Sequence, residues 1–532
     1  MSIIQINNLS YIHSDHTPLF EGVSFSVAPH QKIALIGPNG SGKSTLLRLI
    51  ASRNKPTSGE IVHSGNIYYV PQHFGQYNAL TIAGALGIEP KINALHAILS
   101  GDLSETNYDI LQDDWNIEER ASAALETWGL AGFGLSQPLA SLSGGEKTRV
   151  FLSGISIHEP ELIALDEPSN HLDRNSRKQL YELIETNPAA MIVVSHDRTL
   201  LNLLDTTLEL GPKGVTLYGG NYEFYKEQKE MHLQALQERM EDREKSLRTA
   251  QKTAREAAER KARQDARGDK KAKQAGIPRI MLKTIADGAA ASGKKLREVH
   301  AEKITGISEE LKNLREQIPE KREMKVKLEN STLHTGKILV TAESVNFSYE
   351  EKPLWTEPLS FQIRSSQRIV IEGDNGSGKT TLIKLIVGSL EPTTGNITRA
   401  ENLQYLYIDQ EYSLIDNNRT VFEQVQGFND RKLPEHILKT ELHRFLFPAD
   451  TWDKPCSQLS GGEKMRLIFC CLLVSNSTPD LFILDEPTNN LDIQSLEIVT
   501  EALENYRGTL LIISHDHYFT HEIGIQETLA LN

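Results

Sequence analysis

GPNGSGKS, Gly37–Ser44, follows the apolar run KIALI, Lys32–Ile36, and precedes the helical pattern TLLRLIAS that begins at Thr45. Strand, glycine loop and helix in that order turn G-x-x-x-x-G-K-[ST] into a phosphate-binding loop. Gly37, Pro38, Asn39, Gly40, Ser41 and Gly42 let successive backbone N–H groups converge on phosphate. Lys43 reaches the terminal phosphates, Ser44 offers a hydroxyl to Mg²⁺, and Thr45, the first residue of the helical pattern, completes the expected ATP-binding set. The arrangement recurs as GDNGSGKT: Gly373, Asp374, Asn375, Gly376, Ser377 and Gly378 form the loop, Lys379 and Thr380 take the seats of Lys43 and Ser44, and Thr381 follows.

Other pairs stand in the same order, so the chain is duplicated. Gln72 in YVPQ answers to Gln410 in YIDQ, and LSGGE at Leu142–Glu146 to LSGGE at Leu459–Glu463. ELIALDEPSNHLD, holding Asp166, Glu167 and Asp173, answers to DLFILDEPTNNLD, holding Asp485, Glu486 and Asp492. IVVSHD with His196 answers to LIISHD with His515. The offsets differ along the chain: 336 between the lysines, 338 between the glutamines, 317 between the LSGGE leucines and 319 between the histidines. The first copy therefore carries about 20 additional residues after its glutamine, placed within Lys91 to Trp115 (about 91–115), as a short arm or a surface loop.

An apolar strand ending in Asp-Glu supplies two carboxylates with different tasks. Asp166 and Asp485 face the P-loop and can hold Mg²⁺ through its water, while Glu167 and Glu486 are placed to orient or deprotonate an attacking water. With these residues both halves resemble ATP-binding-cassette (ABC) ATPases from end to end. The resemblance implies an α/β fold, ATP and Mg²⁺ as cofactors, and an LSGGE that faces the P-loop of the opposite half. Site one would combine Lys43, Ser44, Gln72, Asp166, Glu167 and His196 with Ser460, Gly461 and Gly462. Site two would combine Lys379, Thr380, Gln410, Asp485, Glu486 and His515 with Ser143, Gly144 and Gly145. Both keep every motif, so two competent sites are expected, with Gln72 and Gln410 as further Mg²⁺ ligands and His196 and His515 as γ-phosphate sensors. Tyr11 and Tyr349, each about 30 residues before a P-loop lysine, match the family's adenine-stacking aromatic or else pack in the core.

Between the two halves lies a segment of another kind, from Tyr222 to about Glu320. Leu236, Met240, Leu247, Ala250, Ala254 and Ala257 recur at three- and four-residue spacing, with Arg243 in one seat, and Ile304, Ile307, Leu311, Leu314 and Ile318 repeat the spacing. Two narrow stripes predict an antiparallel helical hairpin: a first helix from Tyr222 to about Ala266, a Gly-containing loop from Gly268 onward, and a return helix ended by Pro319. Alternation at Met324, Val326 and Leu328 predicts a strand opening the second half. The expected domains are 1–221, 222–320 and 321–532, two P-loop ABC ATPase domains joined by a coiled-coil hairpin linker, with no further domain after the second SHD.

The net charge of −14 is unevenly placed. Residues 222–320 hold 23 Lys and Arg against 18 Asp and Glu, which leaves 34 against 53 for the rest. Residues 260–297 hold 12 basic side chains and only Asp265, Asp269 and Asp287 as acids. A basic tip on an acidic body suits a phosphate-rich surface. Charges interrupt every apolar run, so no membrane span is expected, and MSIIQINNLSY is not a signal peptide. Cys456, Cys470 and Cys471 lack metal-ligand spacing and read as buried thiols in a reducing cytoplasm.

LSGGE in place of LSGGQ, two cassettes on one chain, no membrane segment and a basic hairpin narrow the resemblance to the ABC-F group, soluble tandem cassettes that bind the ribosome. The resemblance implies a cytoplasmic monomer with an intramolecular cassette dimer, its hairpin at the tRNA exit site near P-site tRNA and rRNA. Arg267, Lys270, Lys271, Lys273, Arg279 and Lys283 would make the RNA contacts, through phosphates and shape. A general translation factor and an antibiotic-resistance, ribosome-protecting member both fit. So do an ATP-binding subunit of a transporter with a separate membrane partner, a scaffold with slow ATPase, and a hairpin that only spaces the cassettes.

Overall fold

The computed structural model describes residues 2–13, 16–211, 214–274, 294, 298–315, 334–349, 352–374, 376–475, 479–489 and 491–531. Asn375, Arg279, Lys283, Ile318, Pro319, Met324, Val326 and Leu328 lie outside them, as does most of the expected hairpin loop. Two compact units emerge: Met1–Glu223 with Met324–Asn532, and Phe224–Glu323.

In the first unit each cassette is organised around a mostly parallel sheet. The first runs Ile67–Val70, Leu162–Asp166, Ala190–Val194, Lys32–Ile36, Thr206–Gly211 and Gly214–Tyr218, parallel except for the last strand. The second repeats the first five positions as Tyr405–Ile408, Leu481–Asp485, Thr509–Ile513, Arg368–Glu372 and Glu527–Ala530. Central strands such as LIALD and LFILD are buried at every residue, which is why they read as apolar runs without alternation. A three-stranded antiparallel sheet, Pro18–Val27, Ile4–Ile12 and Ser58–His63, covers one face, and Leu359–Arg364, Ile338–Asn346 and Thr394–Arg399 do the same in the second copy. Its apolar residues pack on the P-loop helix, Lys43–Ile50 or Lys379–Val387. That helix starts at the carboxyl edge of a central strand, where open α/β sheets bind ligands.

The additional residues of the first copy are folded. Helices Glu89–Leu99 and Glu105–Leu111 stand between Ile82–Ala85 and Ile117–Thr127, whereas the second copy passes from Val421–Gly427 to Glu435–Arg444. Asp114 fixes the insertion by pairing with Lys91 at 3.0 Å and Arg120 at 3.1 Å. The three cysteines are buried.

The cassettes touch along the loops that follow their Asp-Glu strands. Asp173 and Asp492 cap their own helices through Ser176 N at 2.9 Å and Ser495 N at 2.8 Å. Beyond the first cap, Arg174 meets Glu372 at 3.0 Å and Asn175 donates to Asp374 Oδ1 at 3.2 Å, while Asp492 accepts from Asn39 N at 3.3 Å. Arg198, nearly buried, pairs with Glu522 at 2.7 Å.

The second unit is helical. Its first helix is continuous over Tyr222–Gln274, 53 residues, or about 80 Å at the α-helical rise. The expected end near Ala266 and the break at Gly268 are corrected: strong helix formers on both sides outweigh the roughly 1 kcal/mol that one glycine costs. Residues 298–315 form the return helix. Leu236, Ala250 and Leu311 are buried, and the other described stripe residues are half-buried. The seat taken by Arg243 has an ionic partner on the return helix, Glu310 at 3.0 Å, next to an Arg315–Glu244 pair at 2.8 Å. Arg267 is exposed on the first helix; Lys270, Lys271 and Lys273 lie further along it, with side chains outside the described set.

Candidate active site

The two P-loops are built alike. Lys43 Nζ donates to the carbonyls of Gly37 at 2.7 Å and Pro38 at 3.1 Å, and Lys379 Nζ to those of Gly373 at 2.7 Å and Asp374 at 3.0 Å. Gly42 and Gly378 have φ of 97° and 89°, and a Cβ on either would meet side chains at 2.8 Å or less, so neither position admits another residue without strain. Ser41 and Ser377 have buried hydroxyls without partners, an arrangement able to receive phosphate oxygen.

Behind each loop the hydroxyl and carboxylate meet. Ser44 Oγ donates to Asp166 Oδ1 at 3.0 Å, and Thr380 Oγ1 to Asp485 Oδ2 at 3.1 Å. Two further donors escaped the sequence reading: Tyr69 OH reaches Asp166 Oδ2 at 3.1 Å, and Tyr407 OH reaches Asp485 Oδ2 at 3.2 Å. Each stands three residues before the glutamine of its copy, so their shared register with Gln72 and Gln410 was the available signal. Gln410 Nε2 also donates to Asp485 Oδ1 at 3.4 Å, whereas Gln72 lines the cavity around Lys43. Hydroxyl, amide and carboxylate are hard oxygen donors of the kind Mg²⁺ takes alongside phosphate, so the residues fit that ion. Burial raises the pKa of Asp166 and of Asp485, against the opposing hydrogen bonds from Ser44 and Thr380.

One residue on, Glu167 and Glu486 have φ of 53° and 50°. A bulky residue in that region is uncommon and collects at functional sites. Burial, with the adjacent aspartate, pushes Glu167 up to about 8, and burial pushes Glu486 up to about 7. His196 Nε2 lies 3.2 Å from Glu167 Oε1, and the backbone N–H of His196 donates to Oε2 at 3.3 Å. His515 Nε2 is 3.2 Å from Glu486 Oε1, although not aligned as a hydrogen bond. Burial lowers His196 to about 3 and His515 to about 4, so both imidazoles are neutral at pH 7.

The LSGGE serines start helices Gly144–His158 and Gly461–Val474 through capping boxes: Ser143 N donates to Glu146 Oε2 at 2.7 Å and Ser460 N to Glu463 Oε2 at 2.8 Å. The terminal Glu of LSGGE thus satisfies its own helix end. Ser143, Gly144 and Gly145 line a cavity of about 580 Å³ together with Tyr349, Lys379, Thr380, Gln410, Asp485, Glu486 and His515. A second cavity, about 300 Å³, is lined by His13, Leu19, Asn39, Lys43, Ser44, Thr45, Gln72, Asp166, Glu167 and His196 among others; Ser460, Gly461 and Gly462 do not line it.

Of the two tyrosines considered for adenine, Tyr349 lines the 580 Å³ cavity, whereas Tyr11 lines neither of these two cavities and packs against the core. The lysine offset of 336 pairs Tyr349 with His13 and Tyr11 with Phe347. The fold makes the same pairing, with edge-to-face contacts Tyr11–His13 at 5.7 Å and Phe347–Tyr349 at 4.9 Å. Counting from the lysine, rather than looking for like residues, would have found it.

Twin P-loops, Asp-Glu strand ends and paired histidines define a tandem ATP-binding-cassette ATPase. The ABC transporter family profile matches residues 20–170 and 356–489. The chain is 30% identical to the putative ATP-binding protein YdiF of Bacillus subtilis, over 98% of this chain and 79% of that protein. It is 29% identical to ABC transporter F family member 5 of Arabidopsis thaliana, over 98% of this chain and 74% of that protein. It shares its fold with an archaeal ribosome recycling factor, aABCE1, solved with the ribosomal stalk protein aP1: TM-score 0.58, 19% identity, 98% of this chain and 87% of that chain. The protein belongs to the ABC-F family and is an ATP-hydrolysing ATPase. Among the described residues no helix is long and apolar enough to cross a membrane.

Proposed function

We propose that this ATPase works on the ribosome in the cytoplasm, binding at the tRNA exit site with the hairpin tip toward P-site tRNA and the peptidyl-transferase region. The observation that carries the reading is the hairpin: a 53-residue helix in a segment with excess positive charge, within a chain otherwise strongly acidic. Spacing two cassettes requires neither that length nor a basic end, whereas a nucleic-acid surface rewards both.

Within each cassette Lys43 or Lys379 neutralises terminal phosphate charge, and Glu167 or Glu486 orients the attacking water and takes its proton, with His196 or His515 beside it. Mg²⁺, held by Ser44, Gln72 and Asp166 or by Thr380, Gln410 and Asp485, would neutralise further phosphate charge. Nucleotide that binds better between closed cassettes than open ones drives closure, and closure sets the pose of the hairpin; hydrolysis releases it.

The test is the Glu167→Gln, Glu486→Gln double variant, followed by sucrose-gradient sedimentation with ribosomes and ATP. Increased retention is expected, and unchanged retention overturns the reading. Lys270→Gln, Lys271→Gln and Lys273→Gln together should weaken ribosome binding and flatten its dependence on salt, by roughly one unit of log–log slope per lost phosphate contact.

A further inference from the structure

The loop that leaves the first Asp-Glu strand differs in chemistry from its copy. After Asp173 the chain reads Arg174, Asn175, Ser176, Arg177; after Asp492 it reads Ile493, Gln494, Ser495, Leu496. Arg174 and Asn175 grip Glu372 and Asp374 at the second P-loop. Arg177 goes further in. It lines the 580 Å³ cavity with Lys379, Glu486 and His515, although it belongs to the opposite cassette.

Arg177 is 9% exposed. Its Nε donates to Leu172 O at 3.1 Å, and Nη1 stands 4.0 Å from Asp197 Oδ2. Among the described residues neither Nη nitrogen has an acceptor at hydrogen-bond distance. A nearly buried guanidinium held through Nε, with Nη1 in a long ion pair to Asp197 and no closer acceptor among the described residues, can receive an anion. Its field reaches the reacting groups: after burial, which dominates both shifts, it is the next influence, holding Glu486 down and lowering His515. Leu496, its counterpart, is buried in the apolar core of its own cassette and offers the first site nothing comparable.

We propose that Arg177 reads the terminal phosphate of nucleotide held by Lys379, a trans-acting cation of the second site that the first site lacks. A triphosphate there is bound by both cassettes at once, through Ser143–Gly145 and through Arg177, so the second site responds more strongly to the γ-phosphate. The proposal rests on the cavity being a nucleotide site, and its test separates the two claims.

Full-length chains with one P-loop disabled, Lys43→Ala or Lys379→Ala, isolate the second and the first site. In each, Arg177→Leu and Arg177→Lys are compared with the parent for binding of AMPPNP and of ADP with Mg²⁺. Arg177→Leu should weaken AMPPNP roughly tenfold to a hundredfold in the Lys43→Ala chain, the scale of hydrogen bonds to a charged group, and leave ADP within about twofold. Arg177→Lys should recover part of the loss, and neither substitution should matter in the Lys379→Ala chain. Unchanged AMPPNP affinity in the Lys43→Ala chain, or equal weakening of both nucleotides, overturns the role of Arg177. Failure of the Lys43→Ala parent to bind either nucleotide instead overturns the cavity as a nucleotide site, and the proposal with it.

Discussion

Around Lys379 the cavity is bounded partly by the opposite cassette, through Ser143, Gly144, Gly145, His171 and Arg177; around Lys43 every lining residue comes from the cassette that carries the lysine. The motifs within each copy nevertheless agree nearly atom for atom, from the lysine cradle to the left-handed glutamate. The two copies share the chemistry done in cis and the LSGGE motif, and differ in the segment after Asp173 and Asp492. A cis motif is constrained by its own strand and loop. The residues after Asp173 and Asp492 answer to a surface of the other copy, and there Pro38 and Asp374 already differ.

The glutamates offer the largest test of that contrast. Glu167→Gln and Glu486→Gln each remove the water-orienting carboxylate from one site, and general-base losses of about 10²- to 10⁴-fold are expected at the affected site. Steady-state phosphate release from the single variants shows whether the sites turn over equally. If the site joined in trans carries most of the flux, Glu486→Gln lowers the total rate far more than Glu167→Gln. Equal halving by the two substitutions breaks the contrast.

A smaller effect follows from the tyrosines. Asp485 receives Thr380, Tyr407 and Gln410, whereas Asp166 receives Ser44 and Tyr69 as its side-chain donors among the described residues. Outer partners of a metal ligand commonly matter by about 10- to 100-fold in metal affinity. Tyr69→Phe should therefore raise the Mg²⁺ needed for nucleotide binding by about tenfold in a Lys379→Ala chain. Tyr407→Phe in a Lys43→Ala chain should do less, because Gln410 still holds the carboxylate. A larger shift from Tyr407→Phe would mean that the pair of aspartates is not supported in the way these distances indicate.

Much of this was legible in the sequence, and what escaped has a physical reason. LIALD and LFILD announced buried central strands, the glycine loops announced their turns, and the differing offsets located an insertion whose helices only the fold reveals. Residues that act across an interface gave no comparable signal. RNSR looks like any solvated helix start until the second P-loop is set against it, and a tyrosine three residues before a glutamine looks like ordinary strand filling. Gly268 misled for the opposite reason, since a local breaker was overruled by the helix formers around it. The pairing of Tyr11 with Tyr349 failed by two residues of register, enough to carry the side chain from the cavity, where His13 stands, back to the core.

The smallest expected effect concerns the two helix caps and isolates the interface term from the local one. Asp173 and Asp492 accept from Ser176 N and Ser495 N at nearly the same distance, so replacing either with Ala should cost about 1 kcal/mol in the stability of its cassette. Asp492 also accepts from Asn39 N on the opposite P-loop, and its carboxyl is held below the usual range: burial would raise it, but Ser495, Arg466 and His196 together outweigh that. Asp492→Ala should therefore lose the cap and loosen the first site as well, while Asp173→Ala leaves Arg174 and Asn175 in place to grip the second. Denaturant unfolding of nucleotide-free protein measures the first quantity and AMPPNP affinity in the Lys379→Ala chain the second. Equal unfolding losses with a severalfold weaker AMPPNP affinity for Asp492→Ala alone would show that the first site, although lined by its own cassette, depends on the other through this one carboxylate. Unaltered affinity would leave it independent of the partner cassette in this conformation, and the contrast between the two sites would be sharper still.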